Sequence, residues 1–92
     1  MTRVEAINSL AELERVNWHV EPISDDEVRI LCPSHEDKTP SASLNVHKNL
    51  WTCHACHAGG DIVSLLALII GVERKTILVE LSSRYELGVV KT

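Results

Sequence analysis

Apolar positions recur at helical spacing near the start of the chain, at Val4, Ile7, Leu10, Ala11 and Val16. Thr2 with Glu5 three residues later forms a capping-box signal, so a helix is predicted over residues 3 to about 16. From Trp18 the pattern changes: Val20 and Ile23, the turn signal Ser24-Asp25-Asp26, then the alternation Val28, Ile30. A hairpin accounts for it. Residues 33–40 are polar and turn-prone. After them Leu44 and Val46 alternate with polar neighbours, Lys48-Asn49 makes a turn, and Leu50 to Cys53 returns as a partner strand, which predicts a second hairpin with Cys53 at its end. Gly59-Gly60 breaks the chain, and Asp61 is placed to cap a helix over the apolar stretch Ile62 to Ile70. That helix is apolar nearly all round. It is expected to be a core helix covered by the first and last helices, with an exposed docking face as the other reading. Glu73 to about Leu87 resumes an amphipathic pattern through Ile77, Leu78 and Leu81, and Gly88 is a plausible stop.

The chain has 92 residues, enough for one domain, 1–92, without repeat, low-complexity segment or linker. A core of this size leaves stability thin, so a covalent or metal staple is expected. Trp18, Trp51 and Tyr85 are the only aromatics, which makes the core aliphatic. Nine Lys and Arg against thirteen Asp and Glu give a net charge of -4, which argues against a binder that tracks a nucleic-acid backbone without regard to sequence. Any basic footprint must be local. The N-terminus lacks an export pattern, and the longest apolar run is interrupted by Ser64 and Gly71, so neither secretion nor membrane spanning is expected. Three cysteines cannot close a disulfide set within one chain, and their clustering suits metal ligation in a reducing cytoplasm.

Cys32-Pro33-Ser34-His35 and Cys53-His54-Ala55-Cys56 together write C-x2-H-x17-C-x2-C. Two residues between ligands let a tight turn aim both side chains at one ion, and two such turns complete a tetrahedral site of three thiolates and one imidazole. Soft sulfur with borderline nitrogen selects Zn2+, and four protein ligands leave no position for a reactive water. The site is expected to be structural. His54 or His57 could replace His35 as the nitrogen ligand, while His19 and His47 read as surface or strand residues. Cys53 to His57 also matches the attachment pattern for c-type haem, but that would leave Cys32 and His35 unexplained. A thioredoxin-like pair lacks its βαβ surroundings, and a zinc deaminase lacks H-x-E and P-C-x-x-C.

Reading onward from the ligands, C-P-S-H-E-D-K-T-P-S at 32–41, L-W-T-C-H-A-C at 50–56 and G-G-D at 59–61 resemble the Cys-His-Cys-Cys zinc-binding domain of bacterial and phage DNA primases. The resemblance covers about thirty residues in order, and the flanking helices fit more loosely. It places the metal ligands on Cys32, His35, Cys53 and Cys56, the signature loop on Lys38, Thr39, Pro40 and Ser41, and an aromatic position on Trp51. It implies an α+β fold, a small zinc ribbon with its core at about 28–61 and helical flanks at 3–16 and 61–87. It also implies a role in engaging single-stranded template and choosing where a primer begins.

The polymerase domain of such primases does not fit in 92 residues, so this chain is expected to make no primers itself. Its expected partners are single-stranded DNA and a primase polymerase domain or replicative helicase. Trp51 is a candidate for stacking on an unpaired base, with Lys38, Lys48 and Arg29 as candidate phosphate contacts near it. Trp51 and the lysines have plainer readings: Trp51 as a cover for the zinc site and the sheet face, the lysines as solvated turn residues. The rival function is a zinc-stabilised protein-interaction module that docks through the helix starting at Ile62.

Overall fold

The computed structural model describes residues 6–34 and 39–85. Helix α1, Ser9–Arg15, is followed by strands β1 Val20–Pro22, β2 Glu27–Ile30, β3 Ala42–Asn45, β4 Leu50–Cys53 and β5 Gly59–Asp61, then by helices α2 Ile62–Ile70 and α3 Arg74–Ser82. The strands form one sheet in the order β1-β2-β3-β4-β5, each antiparallel to the next. Both expected hairpins are present, and the fold is α+β, as expected. The first of them pairs β1 along β2 from Val20↔Ile30 to Pro22↔Val28.

Register sorts the strands into two faces. Ile30, Ala42 and Cys53 lie side by side, as do Val28, Leu44 and Trp51, and all six are buried. Leu13 of α1, Ile62, Val63, Leu65 and Leu66 of α2, and Ile77 and Leu81 of α3 complete the core. The alternate rows, Glu21–Arg29–Ser43–Thr52 and Glu27–Asn45–Leu50, point away from that core. Helix α2 is buried along Ile62, Val63, Leu65, Leu66 and Ala67, as a core helix should be, while Leu68 and Ile70 are half exposed. No helix among the described residues is long and apolar enough to cross a membrane.

The first helix starts later than its sequence pattern predicts. Asn8 is its N-cap, accepting from the Ala11 amide at 3.1 Å, and the capping box at Thr2 and Glu5 lies outside the described residues. Helix α3 also ends earlier than expected, at Ser82, and Gly88 lies outside the described residues. The reason is a tight turn in which the Arg84 and Tyr85 amides both donate to the Leu81 carbonyl. That turn carries both side chains back to Glu12.

Glu12 is a buried carboxylate, 2% exposed. Arg84 Nη2 reaches Oε1 at 2.6 Å, and the Tyr85 hydroxyl donates to Oε2 at 2.8 Å. A carboxylate taken out of water without such partners would cost several kcal/mol, so this pairing decides whether α1 can pack where it does. Burial, then the hydrogen bond and charge of Glu12, push the Tyr85 hydroxyl above its ordinary value of 10.0. Tyr85 therefore adds stability that is present below that value and lost as pH rises through its raised one. It is the sole tyrosine, so tyrosinate absorbance in an alkaline titration reports it alone. The expected midpoint lies above that of free tyrosine; a midpoint at or below it contradicts the pairing.

Asp61 has the capping role expected for it: Oδ1 accepts from the Ser64 amide at 2.9 Å, and Oδ2 pairs with Arg74. At the far end Gly71 adopts φ 84, a left-handed conformation that stops α2. Asp61→Ala is expected to lower stability by about 1 kcal/mol through the lost cap, while Asp61→Asn retains most of it. Chemical denaturation of the two variants checks this. Equal losses would mean that the ion pair to the partly exposed Arg74, rather than the cap, matters.

Candidate metal centre and the open sheet face

Cys32 follows the end of β2, and Cys53 is the last residue of β4. The chain then folds back tightly: the Cys53 amide donates to the Ala58 carbonyl at 2.7 Å, and the His57 amide to the Cys53 carbonyl at 3.1 Å, with His57 at φ 61. Cys56 lies within this turn. The three sulfur atoms lie within 4.8 Å of one another, and Cys32 and Cys56 Sγ are 3.6 Å apart. Zinc–sulfur bonds of about 2.3 Å at a tetrahedral angle require sulfur–sulfur separations of about 3.8 Å, whereas a disulfide requires about 2 Å. The donor set and its spacing fit zinc.

Burial pushes the Cys32 thiol above its ordinary value, and hydrogen bonds from Ser34 oppose that shift. Ser34 Oγ lies 3.0 Å from Cys32 Sγ and 3.2 Å from Cys56 Sγ, and Ser41 Oγ lies 3.4 Å from Cys53 Sγ. These hydroxyls are sited to support thiolates, and the sequence pattern did not mark Ser34 or Ser41 for that task. A zinc ion held by these cysteines would supply the charge that keeps the thiols deprotonated and would tie the two hairpins together. Among the described residues the metal-ligating group consists of the three cysteines; neither His54 nor His57 joins it. His54 Nε2 instead lies 3.3 Å from Ser43 Oγ. His35 lies outside the described residues.

The profile of the CHC2 zinc finger matches residues 4–92 of this chain. The chain belongs to the CHC2 zinc-finger family. This CHC2 finger is 42% identical over 48 residues to a DNA primase of Mycoplasma pneumoniae, a match covering 52% of the chain and 8% of that primase. It is 31% identical over 61 residues to a DNA primase of Rickettsia prowazekii, covering 66% of the chain and 10% of the primase. Its fold matches the crystal structure of the Aquifex aeolicus primase zinc-binding and RNA polymerase domains with a TM-score of 0.74, at 22% identity, over 98% of this chain and 23% of that one. The finger thus spans about a tenth of the length of the two primases it matches in sequence, and what it shares with primases is their zinc finger.

The residues expected to touch nucleic acid lie in different places. Trp51 is 2% exposed, paired across β3–β4 with Leu44 on the inner face. Base stacking is therefore corrected to a core role: the indole lies under the sheet, in the same inward phase as Cys53. Arg29 is exposed on the outer face, beside Ser43. Lys48 is exposed in the turn between β3 and β4, at the opposite end of that hairpin from Cys53. Lys38 lies outside the described residues. His19 and His47 take surface partners, Glu21 at 2.6 Å and Asp26 at 3.0 Å. Thr52, Ser43 and His54 were not singled out from sequence as members of the outer face; their strand phase opposite to Trp51 and Cys53 was the available signal.

Proposed function

We propose that this CHC2 finger binds single-stranded DNA template on the outer face of its sheet and supports primer initiation by a primase polymerase domain, with zinc held by Cys32, His35, Cys53 and Cys56 as a structural ion. The observation that carries the reading is the one-sided packing: the core and its helices lie on one face, and the opposite face offers Arg29, Ser43, Thr52 and His54 to solvent. Its kinship with DNA primases supplies the context. Arg29, Lys38 and Lys48 are the proposed contacts to the strand. With a net charge of -4, binding is expected to be weak and to depend on salt with a slope of about one or two phosphate contacts.

Fluorescence anisotropy of labelled single-stranded oligomers against the zinc-loaded chain, over a range of salt, tests this directly. Arg29→Ala should weaken binding with fold and zinc content intact. Undetectable binding even at low salt would overturn the reading. Added to a polymerase domain of a primase, the finger should raise initiation, while on its own it should make no primer.

The second reading, docking on a protein partner, draws on the half-exposed Leu68 and Ile70 of α2 and the exposed Val79 of α3. Apolar docking responds little to salt, so the same titration separates the two.

A further inference from the structure

The two tryptophans and the one tyrosine of this chain all serve its interior. Trp51 is buried, Trp18 Nε1 donates to the Leu31 carbonyl at 2.9 Å, and the Tyr85 hydroxyl donates to Glu12. The outward rows of the sheet contain no Trp, Tyr or Phe, so the ring that an unpaired base can meet on this face is the exposed imidazole of His54. Stacking on an imidazole or a guanidinium is tolerant of sequence, so discrimination among bases there falls to hydrogen bonds.

The face has a place for them. A cleft of about 570 Å3 lies over β2 and β3 and is closed at one end by the turn after β4. Ile23 and Pro40 give it apolar walls, and Glu27, Arg29, Ser43 and His54 give it polar ones. Glu27 and Arg29 are two residues apart on β2, so both stand on the same face, at about 7 Å spacing. Among the described residues neither side chain makes an ion pair or a side-chain hydrogen bond, although other exposed charges of the fold do. The cleft thus presents an uncommitted anionic acceptor beside an uncommitted cationic donor. Glu21 and Glu27 outnumber Arg29 on these rows, so the cleft suits a base better than a phosphate.

We propose that this cleft seats a guanine base, a reading that rests on the template-binding function above and narrows it. Guanine carries two adjacent donors, N1–H and the N2 amine, that a carboxylate can accept together, and its O6 and N7 accept from a guanidinium as a pair. Arg29 addresses O6 and N7, and Glu27 addresses N1 and N2, with the ring between Ile23 and Pro40. Cytosine and adenine each offer the carboxylate a single amine. Thymine sets carbonyls on both sides of its one N–H. The guanine can belong to the template strand or to a free nucleotide, and the chemistry is shared.

Two titrations of the zinc-loaded chain separate these cases. In the first, guanosine, cytidine, adenosine and thymidine monophosphates are added and backbone amides are followed by NMR. In the second, thymine oligomers with one central guanine, one central inosine or neither are followed by anisotropy. Guanosine monophosphate should move the amides of Glu27, Arg29, Ser43 and His54 at lower concentration than the others. One guanine should tighten oligomer binding about fivefold or more. Inosine, which lacks the N2 amine, should forfeit part of that gain, and Glu27→Gln should abolish the difference between guanine and inosine. Oligomers that bind equally with or without guanine, together with an unmoved cleft, would overturn the guanine site and leave template binding standing. A guanosine response without oligomer binding would keep the site as one for a free nucleotide and overturn the template reading. A preference for cytosine would overturn the assignment of the base.

Discussion

Removing the metal from the zinc-loaded chain should unfold the sheet between Cys32 and Cys56, and Cys53→Ser should do the same. The argument is one of relative size. A structural zinc contributes about 10 to 16 kcal/mol of apparent binding free energy at neutral pH, whereas a domain of this length is stable by only about 5 to 14 kcal/mol in total. Cys53 is fully buried and ends β4, and Cys32 follows the end of β2, so the ion closes two hairpins at once. Without it, three thiols converge with no cation to balance them as thiolates. Circular dichroism melts before and after chelation, with zinc counted in each sample, provide the check. An unchanged melt in a sample shown to have lost its zinc would contradict a structural role.

Trp51→Ala should lower stability by about 3 to 5 kcal/mol and leave zinc content unchanged where the chain remains folded. The indole is the largest fully buried side chain, set against Leu44 in the neighbouring strand. Its loss would leave a cavity beneath the middle of the sheet. Gly59 shows how closely the chain packs nearby, since a Cβ there would come within 2.8 Å of the Trp51 carbonyl oxygen. Trp51→Phe should cost much less than Trp51→Ala, because it retains a ring and removes an indole N–H that has no hydrogen-bond partner among the described residues. Chemical denaturation of both variants, with DNA affinity measured alongside, decides the matter. An unchanged denaturation midpoint with lost DNA affinity would mean that the ring does reach a base.

The two hairpins were legible because one face of each strand is buried, which writes an alternation into the chain at Val28, Ile30, Leu44 and Trp51. Strand β5 was not legible. Gly59 and Gly60 have no side chains to show a phase, and their extended conformation comes from pairing with Thr52 and Trp51. The start of α1 was misplaced because two capping signals stand close together, and Asn8 holds the cap described here. Trp51 was open to two readings because a lone aromatic in a strand announces size and not direction. Its phase with Cys53, a candidate metal ligand that must face inward to join Cys32, would have decided it. The tie from Glu12 to Arg84 and Tyr85 left no trace in the pattern, since it joins residues 72 and 73 positions apart through charge and hydrogen bonding.

The unbroken strand order has a kinetic consequence. Every strand pairs with its neighbour in the chain, so the sheet can form by successive short loop closures, each with a small entropic cost. The bonds to Glu12 are of the opposite kind, closing loops of 72 and 73 residues at once. Folding should therefore run outward from the middle, with the first and last helices latching late. In native-state hydrogen exchange, amides of β3 and β4 should open only with global unfolding, and those of α1 and the turn at Arg84 should open together at lower free energy.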